Sequence, residues 1–209
     1  MRKDVLAGAA AIGAALIGGA AVYVFREKQT EEPEYRALAT DGDYQIREYA
    51  AMTVAETVVE GSRRQALGEG FKLLADYIFA KSREGETLPM TVPVMQDAGD
   101  PMASDPPLFD DELAGGWRTR FVMPEGREAG DLPAPPEGVE LVELPARKVG
   151  VVSFAGRPGD RELAEQEDRL RGWLARHGEA SEAEPEYAYY NSPVIPGPLR
   201  RNEVWLALS

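Results

Sequence analysis

Cysteine is absent from the 209-residue sequence, and histidine occurs once, as His177. Without thiols there is no disulfide, no thiol nucleophile and no thiolate-bound metal, and a single imidazole cannot build a zinc site. Any Ser-His-Asp relay would need the same histidine, and no serine stands in a Gly-x-Ser-x-Gly turn, so conventional hydrolase chemistry loses its support. Basic residues are scarce beside acidic ones, 23 against 36, giving a formal charge of −13. That balance repels polyphosphate, and no Lys/Arg cluster is interleaved with aromatics, so nucleic acid is a poor partner.

What is present is enough apolar residue for a core, 44% of the chain, which argues against wholesale disorder. Val5 to Phe25 carries no charged or strongly polar residue and is flanked by Arg2, Lys3, Arg26 and Lys28. A helix of that length rises about 30 Å, the thickness of a bilayer's hydrocarbon core. The rival reading is a cleaved signal peptide with Gly19-Ala20-Ala21 at the cleavage site. Apolar Val22 to Phe25 runs on past it, and Tyr23 and Phe25 suit an aromatic interface belt, which favours an uncleaved anchor. The expected organisation is an N-terminal membrane anchor over residues 1–28, a polar tether over 29–43 and one domain over 44–209. An anchor so close to the terminus usually exports the chain behind it, so the domain is expected to be extracytoplasmic, or periplasmic in a bacterium.

The domain reads as a duplication. Val139 to Gly156 aligns without a gap on Tyr44 to Gly61, so that Ile46 meets Leu141, Val54 meets Val149 and Gly61 meets Gly156. In the first half Ser62 and Gln65 open a helix as a capping box. Leu67, Phe71, Leu74 and Ile78 then fall on one helical face. Leu88, Met90, Val92 and Val94 alternate as a strand, and after a Pro/Gly-rich loop Trp117, Thr119, Phe121 and Met123 alternate as another. In the second half a helix from about Asp160 to His177 is followed by Tyr190-Asn191-Ser192-Pro193-Val194, which echoes Met90 to Val94. Asn202 to Leu208 echoes Trp117 to Met123. Each half reads β-β-α-β-β and cannot bury both faces of its sheet alone. The resulting fold class is α+β with up to eight strands and two helices.

Glu69-Gly-Phe-Lys-Leu-Leu-Ala-Asp-Tyr-Ile-Phe79, the Met90–Val94 run, Trp117 to Pro124, Leu132-Pro133, Tyr190-Asn191 with Pro193, and Arg200 to Trp205 stand in an order that resembles the SOUL haem-binding protein family. The resemblance runs from about Tyr44 to the C-terminus. It implies a distorted antiparallel β-barrel, built from a duplicated ββαββ unit and flanked by two helices, that binds haem or another tetrapyrrole for buffering or delivery without catalysis. A planar apolar ligand needs a greasy slot and cations for its carboxylates. Leu67, Phe71, Leu74 and Ile78 with Met90, Trp117, Phe121 and Met123 are candidates for the slot. Arg63 and Arg64, together with Lys72, Lys81 and Arg83, are candidates for the propionates. Met90, Met95, Tyr77 and Tyr190 are axial candidates by residue type, and no axial ligand transfers from the family. His177, in the last turn of a helix before Gly178, reads as a capping residue. The other reading is a sensing or hydrolysing module for apolar or cationic compounds, since SOUL domains resemble the effector-binding domains of bacterial regulators. That reading needs a buried carboxylate, with Glu56 or Glu69 first in line.

Overall fold

The computed structural model describes residues 30–99 and 116–209. The expected anchor over residues 5–25 and most of the loop before Trp117 lie outside the described residues. Among the described residues no helix is long and apolar enough to cross a membrane. Residues Glu31–Ser209 form one compact unit. Nine strands make a single antiparallel sheet: β1 (Tyr35–Asp41), β2 (Tyr44–Tyr49), β3 (Met52–Glu60), β4 (Val94–Ala98), β5 (Gly116–Val122), β6 (Glu140–Leu144), β7 (Arg147–Ala155), β8 (Glu186–Tyr189) and β9 (Arg201–Leu208). Helices α1 (Arg63–Ile78) and α2 (Asp160–Arg176) follow β3 and β7.

The strand order is β1-β2-β7-β9-β8-β4-β5-β3-β6. In a flat sheet β2 and β3 would be six strand spacings, about 29 Å, apart. Only Ala50 and Ala51 join them, a link that reaches about 11 Å. Pro145 and Ala146 join β6 to β7 under the same constraint. The sheet must therefore curl until its ends meet, and the two short links lie side by side across the seam of a half-barrel.

Register shows the duplication directly. Ile46 pairs with Gly150 and Ala55 pairs with Leu141. These are the same contact seen from each half, because Leu141 and Gly150 stand 95 residues after Ile46 and Ala55. The halves thus exchange their first strands, β2 onto β7 and β6 onto β3, about a pseudo-twofold axis between β4 and β8.

Three elements differ from the sequence reading. The expected tether contains β1, an edge strand paired with β2. The expected Leu88–Val94 strand is irregular, with an isolated bridge from Thr91 to Glu31, and β4 begins only at Val94. Tyr190 to Val194 likewise falls after β8, not within it. Met90–Val94 and Tyr190–Val194 are therefore not matching strands: one leads into its strand and the other leaves its strand.

Both helices cover the outer face. The buried side of α1 is Ala66, Gly70, Leu74, Tyr77 and Ile78, while Phe71 is 39% exposed and touches Phe121 only edge-on. A Cβ at Gly70 would lie 2.6 Å from Thr119 Oγ1, so glycine lets the helix backbone rest on β5. In the second half the close approach is inverted: the glycine is Gly150 on β7, and Leu174 of α2 fills its space. Ser62 donates to the Gln65 side chain at 2.7 Å and its hydroxyl takes no hydrogen bond from the helix backbone, so the expected capping box does not form.

Candidate functional site

Alternation along each strand turns one set of side chains away from the helices, into the half-barrel. There Tyr49, Val54, Met95, Val122, Val149, Val151, Ala188, Tyr190 and Trp205 form one buried cluster. It draws on β2 and β3 together, as the curl requires. Within it Glu203 is fully buried. Arg47 donates to both its oxygens at 3.0 Å, Ser153 at 2.8 Å, Arg201 at 3.1 Å, and Tyr190 and Trp205 at 2.7 Å each. Burial alone would raise the Glu203 carboxyl, but the hydrogen bonds and charge of Arg47, joined by Arg201 and Tyr190, bring it down to about 2.

A second ionic group spans the two halves on the same face. Arg120 donates to Glu56 and Asp97 at 2.8 Å each and lies 3.7 Å from Glu186, which Arg147 grips through both terminal nitrogens. Burial, opposed by Arg120, lifts Asp97 to about 6. Asp97 Oδ1 and Arg147 Nε are buried without a hydrogen-bond partner among the described residues. Glu56, half-buried, is thus already ion-paired, and Glu69 is exposed.

Two cavities flank the seam. The first, about 550 Å³, is an open groove lined by Tyr35, Arg36, Glu48, Tyr49, Ala146, Arg147 and Lys148, among others. The second, about 630 Å³, has Met52, Val122 and Met123 in its wall and six glutamates around it: Glu31, Glu32, Glu34, Glu125, Glu128 and Glu143. They are related by the duplication: Glu48, Ala146, Arg147 and Lys148 of the first correspond to Glu143, Ala51, Met52 and Thr53 of the second, 95 residues apart in each case. Symmetry of backbone has been kept while chemistry has diverged, with ion-paired arginine and lysine beside Tyr35 on one side and glutamates around an apolar wall on the other. Glu34 and Ala50 border both. The segment before β1 is tied down beside them, with Val92 N–H donating to Glu31 O at 2.8 Å and Arg201 to Glu32 at 3.0 Å.

The family described as SOUL heme-binding protein matches residues 30–207. The chain belongs to the SOUL family. No curated protein matches it. Among solved structures it is similar to an uncharacterized conserved protein from Listeria innocua, with 12% identity, a TM-score of 0.59, and 82% of this chain and 94% of that one covered. A hydrolase from Listeria innocua also has 12% identity, with a TM-score of 0.56 and coverage of 82% and 94%. The EcmrR C-terminal domain has 15% identity, a TM-score of 0.53 and coverage of 84% and 98%. At such identities these likenesses concern the fold alone.

In this SOUL domain the residues expected to form the slot lie mostly between α1 and the sheet. Leu74, Ile78, Phe121 and Met123 are packed in one core cluster, with Leu67 and Met90 at its margin. Gly70 sits directly on Thr119, so no open space separates helix from sheet there. Trp117 is half-buried on β5, and Phe71 faces outward. Arg63 is buried, donating to Asp160 at 2.5 Å and to the Tyr189 hydroxyl at 2.6 Å, where it joins the start of α2 to α1. Arg64 is exposed. Lys72 and Lys81 both lie 3.7 Å from Asp76, and Arg83 rests over the Tyr77 ring. Of all these candidates only Met123 lines either cavity. The groove's own cations, Arg36, Arg147 and Lys148, escaped the sequence reading because their side chains converge only across the β1-β2-β7 pairing. Glu203 was visible in the Arg200–Trp205 motif, but its burial was not.

Proposed function

We propose that this SOUL domain binds haem or another planar tetrapyrrole as cargo, for buffering or delivery, without catalysing a reaction of its own. The observation that carries the reading is the match to the SOUL haem-binding family over residues 30–207, in a domain whose open groove sets the Tyr35 ring among Arg36, Arg147 and Lys148 and the carboxylates of Glu34 and Glu48. Its volume of about 550 Å³ lies in the range of small-molecule sites. Tyr35 offers aromatic surface, with Tyr49 buried behind it, and Arg36, Arg147 and Lys148 would exchange their present partners Glu48, Glu186 and Glu179 for the two carboxylates of a haem. Arg147 Nε, buried and without a protein partner among the described residues, is a donor left over for such a ligand. The second cavity would repel the same carboxylates through its glutamates. Titration of the full chain in detergent with hemin should give a saturable Soret shift near one equivalent. A slow, non-saturating change would sink the reading.

A second reading has its own observation. Six glutamates around apolar Met52, Val122 and Met123 favour an apolar cation in the other cavity, as in a sensing module. Calorimetric titration with a lipophilic phosphonium would decide it: saturable heat that Glu143→Gln weakens supports that reading, and no heat removes it.

We further propose that residues 5–25 hold the domain at a membrane, on the extracytoplasmic side. The uncharged run with cationic flanks supports this. The full chain should stay with membranes after alkaline extraction and be cut by protease added outside the cytoplasm. Release into the supernatant, or protection from that protease, would overturn the respective half of the proposal.

A further inference from the structure

We propose that the loop over residues 192–199 is a lipid-facing wedge that rests the domain on the surface of the membrane holding residues 5–25. The inference rests on the anchor reading and names the part of the domain that meets the bilayer.

Val194, 70% exposed, and Leu199, 63% exposed, are the two most exposed large apolar side chains among the described residues. Pro193, Pro196 and Pro198 are exposed around them, so the loop offers water an almost wholly apolar tip. A single exposed leucine needs no explanation, but a loop tip made of little else does. The loop is also prepared to leave water. Its three prolines carry no N–H. The N–H groups of Val194, Ile195, Leu199 and Arg200 bond to Ser192 Oγ, Ser192 O, Pro196 O and Gly197 O. Arg200 covers the Ile195 and Pro193 carbonyls, and Gly197 O also accepts from Gly156 N–H at 3.0 Å. Backbone groups already satisfied within the protein lose little on entering the headgroup region, where unpaired ones would be costly. Ile195 is buried and pins the loop to the domain, so the tip keeps its shape without lipid.

Given the anchor, chain length alone keeps this side of the domain near the bilayer. Phe25 ends the uncharged run, and no more than about 20 Å of chain separates it from Glu31. Glu31 and Glu32 are fixed to the domain by the Val92 and Glu125 N–H groups and by Arg201. Two loops adjoin that point. The loop over residues 124–130 carries Glu125 and Glu128, both exposed, which anionic headgroups repel. The other follows Asn191, whose side chain accepts from Arg201 N–H at 2.6 Å, and its tip is apolar. Arg157 is exposed beside it, with its Cγ 3.5 Å from where a Cβ at Gly197 would stand, and its long side chain can reach lipid phosphates. A chain of formal charge −13 gains nothing overall from anionic lipid, so apolar insertion, and not charge attraction, carries the contact.

The absence of cysteine lets a single label report each position. The full chain carrying Val194→Cys, Leu199→Cys or His177→Cys is labelled with an environment-sensitive fluorophore and reconstituted into phosphatidylcholine vesicles. His177 is exposed at the far end of α2, about 25 Å along the helix from the Arg157 side. Labels at 194 and 199 should emit to the blue of the label at 177 and be quenched several-fold more by a nitroxide-bearing lipid. Adding Leu199→Asp to the Val194→Cys chain should return its label to water. Circular dichroism and the urea midpoint should stay unchanged, because both side chains are exposed. Equal emission and quenching at all three positions, in chains that float with the vesicles, overturns the wedge and leaves the anchor standing. A blue shift without lipid quenching places the tip against protein and overturns the wedge as well. Chains that do not float overturn the anchor reading and the wedge with it.

Discussion

Glu203 shows how one residue can be conspicuous in the sequence and still hide its role. It stands beside Arg200 and Arg201 in the C-terminal motif, where an exposed ion pair would be an ordinary expectation. In the fold its main partner is Arg47, 156 residues earlier, and both side chains are almost fully buried. Breaking such a pair strands the other charge. Glu203→Gln should therefore lower the unfolding free energy by about 3–5 kcal/mol, measured by urea denaturation at neutral pH. Because the folded carboxyl lies at about 2, below its ordinary 4.5, its contribution is complete above 4.5 and lost as pH falls toward 2. Wild-type stability should decline across that window, and the glutamine variant should decline less. An equal decline in both would show that other acids carry the acid sensitivity.

At the scale of elements, α1 was legible as a helix but not in its rotation. The stripe Leu67, Phe71, Leu74, Ile78 obeys helical spacing, yet the face that meets the sheet runs through Ala66, Gly70, Leu74 and Tyr77. Small residues win because the helix sits close to β3 and β5, and only the tertiary approach makes smallness an advantage. Two glycines of the same helix then predict opposite outcomes. A Cβ added at Gly68 would have nothing within 4 Å, so Gly68→Ala should stabilise by about 0.5–1 kcal/mol through helix propensity. At Gly70 a Cβ would meet Thr119 Oγ1 at 2.6 Å, and Gly70→Ala should cost about 1–3 kcal/mol by overpacking. Thermal or urea unfolding of the two variants checks both signs at once. The Met90–Val94 run misled for a related reason: alternation of apolar residues is necessary for a half-buried strand but does not secure a pairing partner.

For the whole molecule the duplication has an energetic consequence. β2 finds its inner neighbour only in β7, and β6 pairs only with β3, so each half alone leaves its first strand detached from the rest of its sheet, β2 keeping only the edge strand β1. Fragments 30–125 and 126–209 should each fail to unfold cooperatively by circular dichroism. Mixing them should restore a cooperative transition, which would not appear if each half were an independent domain. The same exchange places the two cavities at the seam, where the Ala50-Ala51 and Pro145-Ala146 links lie side by side.

The sequence by itself determined the α+β class, the two helices, the 95-residue repeat and the family, because each depends on local periodicity or on residues compared along the chain. Only the tertiary structure decided that the expected tether carries a ninth strand, that α1 turns its glycine to the sheet, and that the open groove lies beside Tyr35 and not beneath α1. Those outcomes depend on the curl of the sheet, which brings residues a hundred or more positions apart into contact, and no window of neighbouring residues encodes that distance.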